Sequence, residues 1–408
     1  MLYCISEAAP YDGGMLVIGV ELAEEAGSMN RKAKLGIGVI GCGNISMTYL
    51  RNASLFGEVE LRACADISAD VSALRAAEYG IRALDVDALL ADPEVDLVIN
   101  LTIPAVHYDV TLSALSAGKH VFTEKPLATS AADGRKLVAE AKRRGLLLGS
   151  APDTFLGAAG RRARRLMDNG AIGRPVTGTA FMMGRGMEHW HPNPQFYYQP
   201  GGGPVFDMGP YYLTMLVNLL GPVKSVMALA TKGQEERRIT AEGRFQNTTF
   251  TVGTPTNVLS LLEFHSGATV NFGASWDVFR HSNHPIELHG TEGSLRLPDP
   301  DTFGGTVSLS ERGAEWVNLE SEDELYGALN WPYAAPDRAN YRMLGVADLV
   351  RALGDGRAPR ASGDLALHVL EIMEAILASG ESRSSVAIAG SVVQPPLLGE
   401  DEARSLLA

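Results

Sequence analysis

The chain has 408 residues, 46% of them hydrophobic and 20% charged, which is enough apolar material for two domain-sized cores. A formal net charge of −13 argues against nucleic acid or an anionic membrane as the main partner, since both are met by basic surface. Three scattered cysteines, Cys4, Cys42 and Cys64, form no disulfide framework and point to a reducing, cytoplasmic setting, and no apolar run reaches transmembrane length.

Residues 1–30 stand apart. They lack a basic start, and their short apolar stretch runs into Glu21, Glu24 and Glu25, so they make a poor signal peptide. The reading is a loosely ordered extension, with a packed helix at 15–26 as the alternative. From Lys34 the pattern alternates. Apolar strands are expected at 36–41, 59–66, 96–102, 120–124 and 146–151, with helices at 44–55, 69–79, 104–118 and 129–144 between them. Continuous apolar runs suit strands covered on both faces, and the alternation implies a parallel, doubly wound sheet over residues 31–152.

The first turn, Gly41-Cys42-Gly43-Asn44-Ile45-Ser46, has the form G-x-G-x-x-S between a strand and a helix. Gly41 permits the tight turn, Gly43 lets backbone approach a pyrophosphate, and Ser46 keeps helix and sheet close. Asp66 ends the second strand, 20 residues after Ser46. A carboxylate there binds ribose hydroxyls and repels a 2′-phosphate, so NAD is favoured over NADP. A strand-end turn or a helix cap is the structural alternative for Asp66.

After Ala151 the character changes. A helix at 155–170 carries Arg161, Arg162, Arg164 and Arg165, read as a solvated charged face. Strands at 175–183, 223–230, 257–264 and 268–275, with a hairpin-like turn at Ser266-Gly267, suit a largely antiparallel sheet. Residues 184–200 form a long loop rich in Pro, Gly and aromatics, and a helix over 205–220 follows Gly201-Gly202-Gly203-Pro204. Asp207 and Tyr211 are four residues apart and share one face of that helix. The helix's positive N-terminal end favours an anionic Asp207. No metal-ligand arrangement stands out, and a zinc site from His189 and His191 is not expected.

The segments GVIGCGNIS, ACADIS, NLTIPAVHYDVTLSALSAGKHVFTEKPLA and GGGPVFDMGPYYLTMLVNLLGPV together resemble the glucose–fructose oxidoreductase/inositol dehydrogenase (Gfo/Idh/MocA) family, over about residues 34 to 385. The resemblance implies an α/β protein: a Rossmann domain followed, over 153–408, by an α/β domain on an open, mostly antiparallel sheet that often pairs between subunits. It implies hydride transfer between NAD(P) and a sugar, polyol or related cyclic alcohol. It places Lys125 beside the nicotinamide, often with the Lys125-Pro126 bond cis. The family pattern D-x-G-x-H reads Asp207-Met208-Gly209-Pro210-Tyr211 here, with tyrosine for histidine and Thr214 where many members have a second aspartate.

The candidate cofactor contacts are Gly41, Gly43, Asn44, Ile45, Asp66, Thr102, Pro104, His107, Glu124 and Lys125. Lys125 and Tyr211 are expected to act as an acid/base pair, the ammonium lowering the phenol's pKa, with Asp207 orienting. Lys125, His189, Trp190, His191, Asp207 and Tyr211 are the candidate substrate contacts. Asp153 and Asn193 are weaker polar candidates. His107 could equally be a helix-surface histidine, Asp207 a helix cap and Tyr211 a core aromatic. Two other functions remain open: glycoside cleavage through transient oxidation by bound NAD, and a non-enzymatic NAD(P) sensor.

Overall fold

The computed structural model describes residues 34–331 and 338–408, so the expectation for residues 1–30 lies outside the described residues. The first half of the described chain runs β1 (Leu35–Ile40), α1 (Ser46–Asn52), β2 (Val59–Ala65), α2 (Ala69–Tyr79), β3 (Arg82–Ala83), α3 (Val86–Ala91), β4 (Leu97–Asn100), α4 (His107–Ser116), β5 (His120–Thr123), α5 (Ala131–Arg144) and β6 (Leu148–Ser150). The six strands form one sheet in the order β3-β2-β1-β4-β5-β6, and every pairing in it is parallel. Ile37, Val39, Leu97, Val98, Ile99, Val121 and Phe122 are fully buried. That is why these strands read as unbroken apolar runs. A strand with helices on both faces has no solvent side to mark with polar residues. The strand order reverses between β1 and β4, which opens a crevice beyond their carboxyl ends.

The second half runs α6 (Ala158–Asp168), β7 (Pro175–Met183), α7 (Gly203–Leu220), β8 (Val223–Thr231), β9 (Glu236–Arg238), β10 (Thr249–Thr251), β11 (Asn257–Phe264), β12 (Thr269–Ser275), β13 (Ile286–Gly290), β14 (Gly293–Leu297), β15 (Val307–Glu311) and β16 (Val317–Leu319). It closes with α8 (Leu344–Asp355), α9 (Gly363–Ser382), β17 (Val386–Ala387) and α10 (Glu400–Ser405). Nine strands form a sheet in the order β16-β15-β14-β13-β7-β12-β11-β8-β17. Only β12 and β7 pair in parallel; the other pairings are antiparallel.

Helix α7 is apolar nearly all round because it is enclosed, with β7, β11 and β12 on one side and α6 and α9 on the other. Its Pro204 lies in the first turn, where no N–H is needed, and Pro210 lies inside it.

Helices α8 and α9 return to the first sheet. α9 packs on α5 and β6, and α8 on β6. The backbone N–H of Ser150 donates to the Ala361 carbonyl at 3.0 Å, and Gly149 bridges Ser362. The outer edge of β6 is therefore covered by chain from beyond residue 360.

The arginines of α6 do not form a solvated face. Arg161 is 1% exposed and Arg164 is 9% exposed. Arg161 donates to the Leu398 and Leu325 carbonyls and to Glu400. Arg164 donates to the Asn218 and Pro395 carbonyls and to Asp168. Arg162 and Arg165 share Glu324. A guanidinium carries five donors in a fixed fork, and here the forks satisfy loop carbonyls and one in the last turn of α7.

Candidate active site

Lys125 leaves the carboxyl end of β5, and the turn that carries it is tied on both sides. Its own N–H donates to Glu124 Oε2 at 2.9 Å, and the other Glu124 oxygen accepts from the Tyr49 hydroxyl of α1 at 2.8 Å. The Glu124 N–H donates to the Asn100 carbonyl of β4 at 2.8 Å. Burial, and then the Glu124 carboxylate, push the Tyr49 phenol well above its ordinary pKa, so it stays a donor. The Lys125-Pro126 peptide bond is cis, as the resemblance implied.

His107 Nδ1 lies 2.7 Å from the Pro126 carbonyl, and its Nε2 lies 3.0 Å from the Thr102 carbonyl. This histidine is fully buried, and burial lowers its basicity although the two carbonyls pull the other way. It is not on a helix surface, and each ring nitrogen faces a backbone carbonyl, one of which takes the single N–H of the neutral ring. Its visible work is to hold the Lys125-Pro126 turn against the end of β4.

The Lys125 side chain reaches α7. Its Nζ donates to the Asp207 carbonyl at 2.7 Å and to Asp207 Oδ1 at 3.0 Å. It also lies 5.2 Å from the centre of the Tyr211 ring. The three groups drawn from the sequence therefore meet. Burial alone would weaken the ammonium, but Asp207, Tyr211 and Glu124 outweigh it and hold Lys125 above the usual lysine value.

Tyr211 differs from expectation. Lys125 approaches its ring face, not its oxygen, and the hydroxyl accepts from Arg342 Nη2 at 3.1 Å. Arg342 Nη2 also donates to Asp301 Oδ1 at 2.8 Å. Lys125 and Arg342 do pull the phenol's pKa down, but burial and the Asp301 carboxylate outweigh them, and the net direction is up. An ammonium near a buried phenol is thus not enough to make it a base at neutral pH.

A cleft of about 360 Å³ opens beside Lys125 and Asp207. Ile103, Pro104 and Thr129 wall it on one side, and Phe196, Tyr197 and Phe206 on the other. The loop residues singled out from the sequence stand behind this wall. His191 meets the Phe196 and Tyr197 rings edge-on, each at 5.5 Å, and Trp190 meets His191 at 5.4 Å. None of His189, Trp190 and His191 lines the cleft. The loop is fixed rather than loose: Glu188 binds both Arg237 and the Tyr198 hydroxyl, and Arg237 also binds Asp277. Asn193 is exposed. Asp153 is buried, with Oδ2 accepting from the Gly345 N–H at 2.9 Å. Burial pushes its pKa up to about 6. Thr214 is buried behind the Lys125-Pro126 turn.

The glycine turn has the geometry its sequence implied. Gly41 has φ of +100°, and a Cβ there would lie 2.7 Å from Leu101 backbone atoms. Gly43 faces open space, with no atom within 4 Å of where a Cβ would stand. Asp66 spans the turn: Oδ2 accepts from the Cys42 N–H at 2.8 Å and Oδ1 from the Ser68 N–H at 2.9 Å. Each oxygen keeps acceptor capacity for a further donor. Asn44 is exposed and Ile45 half-buried beside it. Thr102 is held to Asn100 Oδ1 by its N–H and its hydroxyl. The turn is open, backbone-lined and backed by a carboxylate, which fits a dinucleotide with free ribose hydroxyls.

Arg342, Asp301, Tyr49 and Tyr197 belong to the site but escape sequence reasoning. Tyr197 alone had a visible signal, its place just before the glycine run in the aromatic loop.

Residues 35–151 match the model of an oxidoreductase family with an NAD-binding Rossmann fold, and residues 161–296 match the GFO/IDH/MocA C-terminal domain. The chain is 30% identical over 361 residues to a dTDP-3,4-didehydro-2,6-dideoxy-alpha-D-glucose 3-reductase of Streptomyces violaceoruber, covering 86% of this chain and 97% of that protein. It is 29% identical over 336 residues to a 1,5-anhydro-D-fructose reductase of Ensifer adhaerens, covering 80% of this chain and 90% of that one. An NAD binding oxidoreductase from Klebsiella pneumoniae superimposes with a TM-score of 0.76 at 25% identity, covering 88% of this chain and all of the other.

Proposed function

This chain belongs to the GFO/IDH/MocA family of NAD-binding oxidoreductases, and we propose that its cleft oxidises or reduces a CH–OH carbon of a sugar, polyol or related cyclic alcohol. The observation that carries the reading is the double hold of Asp207, through carbonyl and carboxylate, on the Lys125 ammonium at the mouth of the crevice. Gly41, Gly43 and Asp66, with Asn44 and Ile45 beside them, would hold NAD, which supplies a hydride acceptor or donor when bound. The end of β4 at Thr102 and Pro104, together with Lys125, completes that side.

In this reading Lys125 Nζ donates to the substrate oxygen and stabilises negative charge as it develops. In the oxidative direction Nζ first gives a proton to Asp207 Oδ1 and then, as the amine so formed, takes the hydroxyl proton, so the site ends with an ammonium at Lys125 and a protonated Asp207. Reduction reverses the relay. Tyr211 supports the cation with its ring face and, held by Arg342, stays protonated.

Lys125→Met tests the assignment. Turnover of a sugar and polyol panel with NAD⁺, followed by absorbance of the reduced cofactor, should fall by at least ~100-fold. NADH binding, read from its fluorescence, should weaken by no more than about tenfold, the loss of one contact among many. A variant as active as the parent would remove Lys125 from the chemistry. Release of an aglycone from a glycoside without accumulation of NADH would replace simple dehydrogenation with the transient-oxidation route.

The outward face of the nine-stranded sheet is read as a contact with a second copy of the chain. Strands β8 and β11 alternate buried and exposed residues, yet the middle of the exposed row is apolar. Met227, Leu229, Leu259 and Leu261 are 45–57% exposed, and they stand opposite one another as Leu229–Leu259 and Met227–Leu261. A solvated face would alternate to polar residues, and a flat apolar row is self-complementary about a two-fold axis. No helix among the described residues is long and apolar enough to cross a membrane.

A further inference from the structure

We propose that the cleft selects a sparsely hydroxylated ring alcohol, such as a deoxy or anhydro sugar or a cyclic diol, over a fully hydroxylated hexose or inositol. The inference rests on the reading above, in which the reacting carbinol sits at Lys125 and Asp207. Away from that pole the wall offers carbon. Ile103, Pro104, Phe196, Pro200 and Phe206 all face the space. Ile103 is 66% exposed and Phe196 54% exposed, so two large apolar side chains are left open on its walls.

The polar side chains are few. Besides Lys125 and Asp207, only Thr129 and Tyr197 bring a side-chain hydroxyl to the lining. The Tyr197 hydroxyl takes no hydrogen bond from or to the described residues, whereas that of Tyr211 is occupied by Arg342. Whichever part of the wall the nicotinamide covers, these four are the polar side chains that the described lining offers the substrate. They match a reacting carbinol and a neighbouring hydroxyl. Each further hydroxyl pressed on the apolar wall loses its water and gains no partner, at about tenfold in affinity per group.

A C–H face gains where a hydroxyl loses. The Phe196 and Tyr197 rings lie 4.1 Å apart at 31°. His191 meets Tyr197 edge-on at 5.5 Å, and Trp276 does so at 6.3 Å. The pair is a preset aromatic surface, and such a surface takes the hydrogen-bearing face of a ring.

Two matched pairs test this: trans-cyclohexane-1,2-diol against myo-inositol, and 6-deoxy-D-glucose against D-glucose. Binding of each to the protein–NADH complex is measured by calorimetry, and kcat/KM with NAD⁺ by absorbance. The less hydroxylated member should be favoured at least ~10-fold in both measurements, and Phe196→Ser should shrink that ratio while NADH binding is retained. Equal or reversed preference overturns the proposal and leaves the oxidoreductase reading standing. Failure of all four to bind, with NADH binding intact, removes the substrate from this cleft and overturns both.

Discussion

Lys125 keeps its charge through three different contacts: a carboxylate, a carbonyl and a ring face. Tyr211 supplies only the last, and its hydroxyl is turned to Arg342. Tyr211→Phe should therefore retain the cation–π contact and lower kcat/KM by no more than about tenfold, whereas Tyr211→Leu should cost more. A loss in Tyr211→Phe as deep as that of Lys125→Met would show the phenol itself carrying the proton. Lys125 and Asp207 were legible in the sequence because a strand end and a helix face fix where a side chain points. Arg342 was not, because it reaches Tyr211 across 131 positions of chain, and no local pattern encodes that approach. The phenol's direction of titration was also out of reach. It depends on burial and on Asp301, neither of which the D-x-G-x-Y spacing reports.

Where α9 meets β8, a histidine takes the place of a backbone acceptor. His368 Nε2 accepts from the Val223 N–H at 3.0 Å at the start of β8, and the ring is buried. Burial, with His265 nearby, lowers its pKa to about 4. The folded state therefore holds His368 neutral, while the unfolded chain binds a proton below its ordinary value of 6.5. Stability from this group is complete above pH 6.5 and is lost as pH falls toward 4. Between pH 7 and pH 5 the loss is about 2 kcal/mol. His368→Gln keeps an acceptor but cannot titrate. Its stability deficit relative to the parent, from urea melts, should shrink by that amount over the same interval; a constant deficit would mean the ring is not buried as described.

Five strands of the first sheet were readable from their apolar runs, and α7 because its glycine–proline start and glycine stop bracket it; the sixth, β3, is two exposed residues and left no such run. β15 and β16, of five and three residues, are too short for alternation to announce them. The arginines of α6 misled because four charges in five residues suggest solvent, and only the partner carbonyls from residues 395 and 398 reveal otherwise.

For the molecule as a whole, the apolar row on β8 and β11 has a measurable consequence. Leu261→Asp should convert the sedimenting species of the parent into a single-chain species, with NADH binding unchanged. A parent that already sediments as one chain at micromolar concentration would leave that face without its proposed partner. The two-sheet architecture was legible from the change after Ala151, where strands alternating with helices give way to successive strands with a hairpin-like turn. The return of the distal helices to the first sheet was not, since nothing in α8 or α9 names the surface it packs on.

The hydrogen bond from Ser150 to Ala361 and the bridge from Gly149 to Ser362 set terms for anyone recombining this chain with its relatives. A single crossover near residue 152 hands the nucleotide half a foreign set of closing helices and leaves the rim of β6 to fit a surface it did not evolve beside. Hybrids that trade substrate preference should instead exchange an internal cassette, roughly residues 153 to 343, and keep both flanking pieces from one parent.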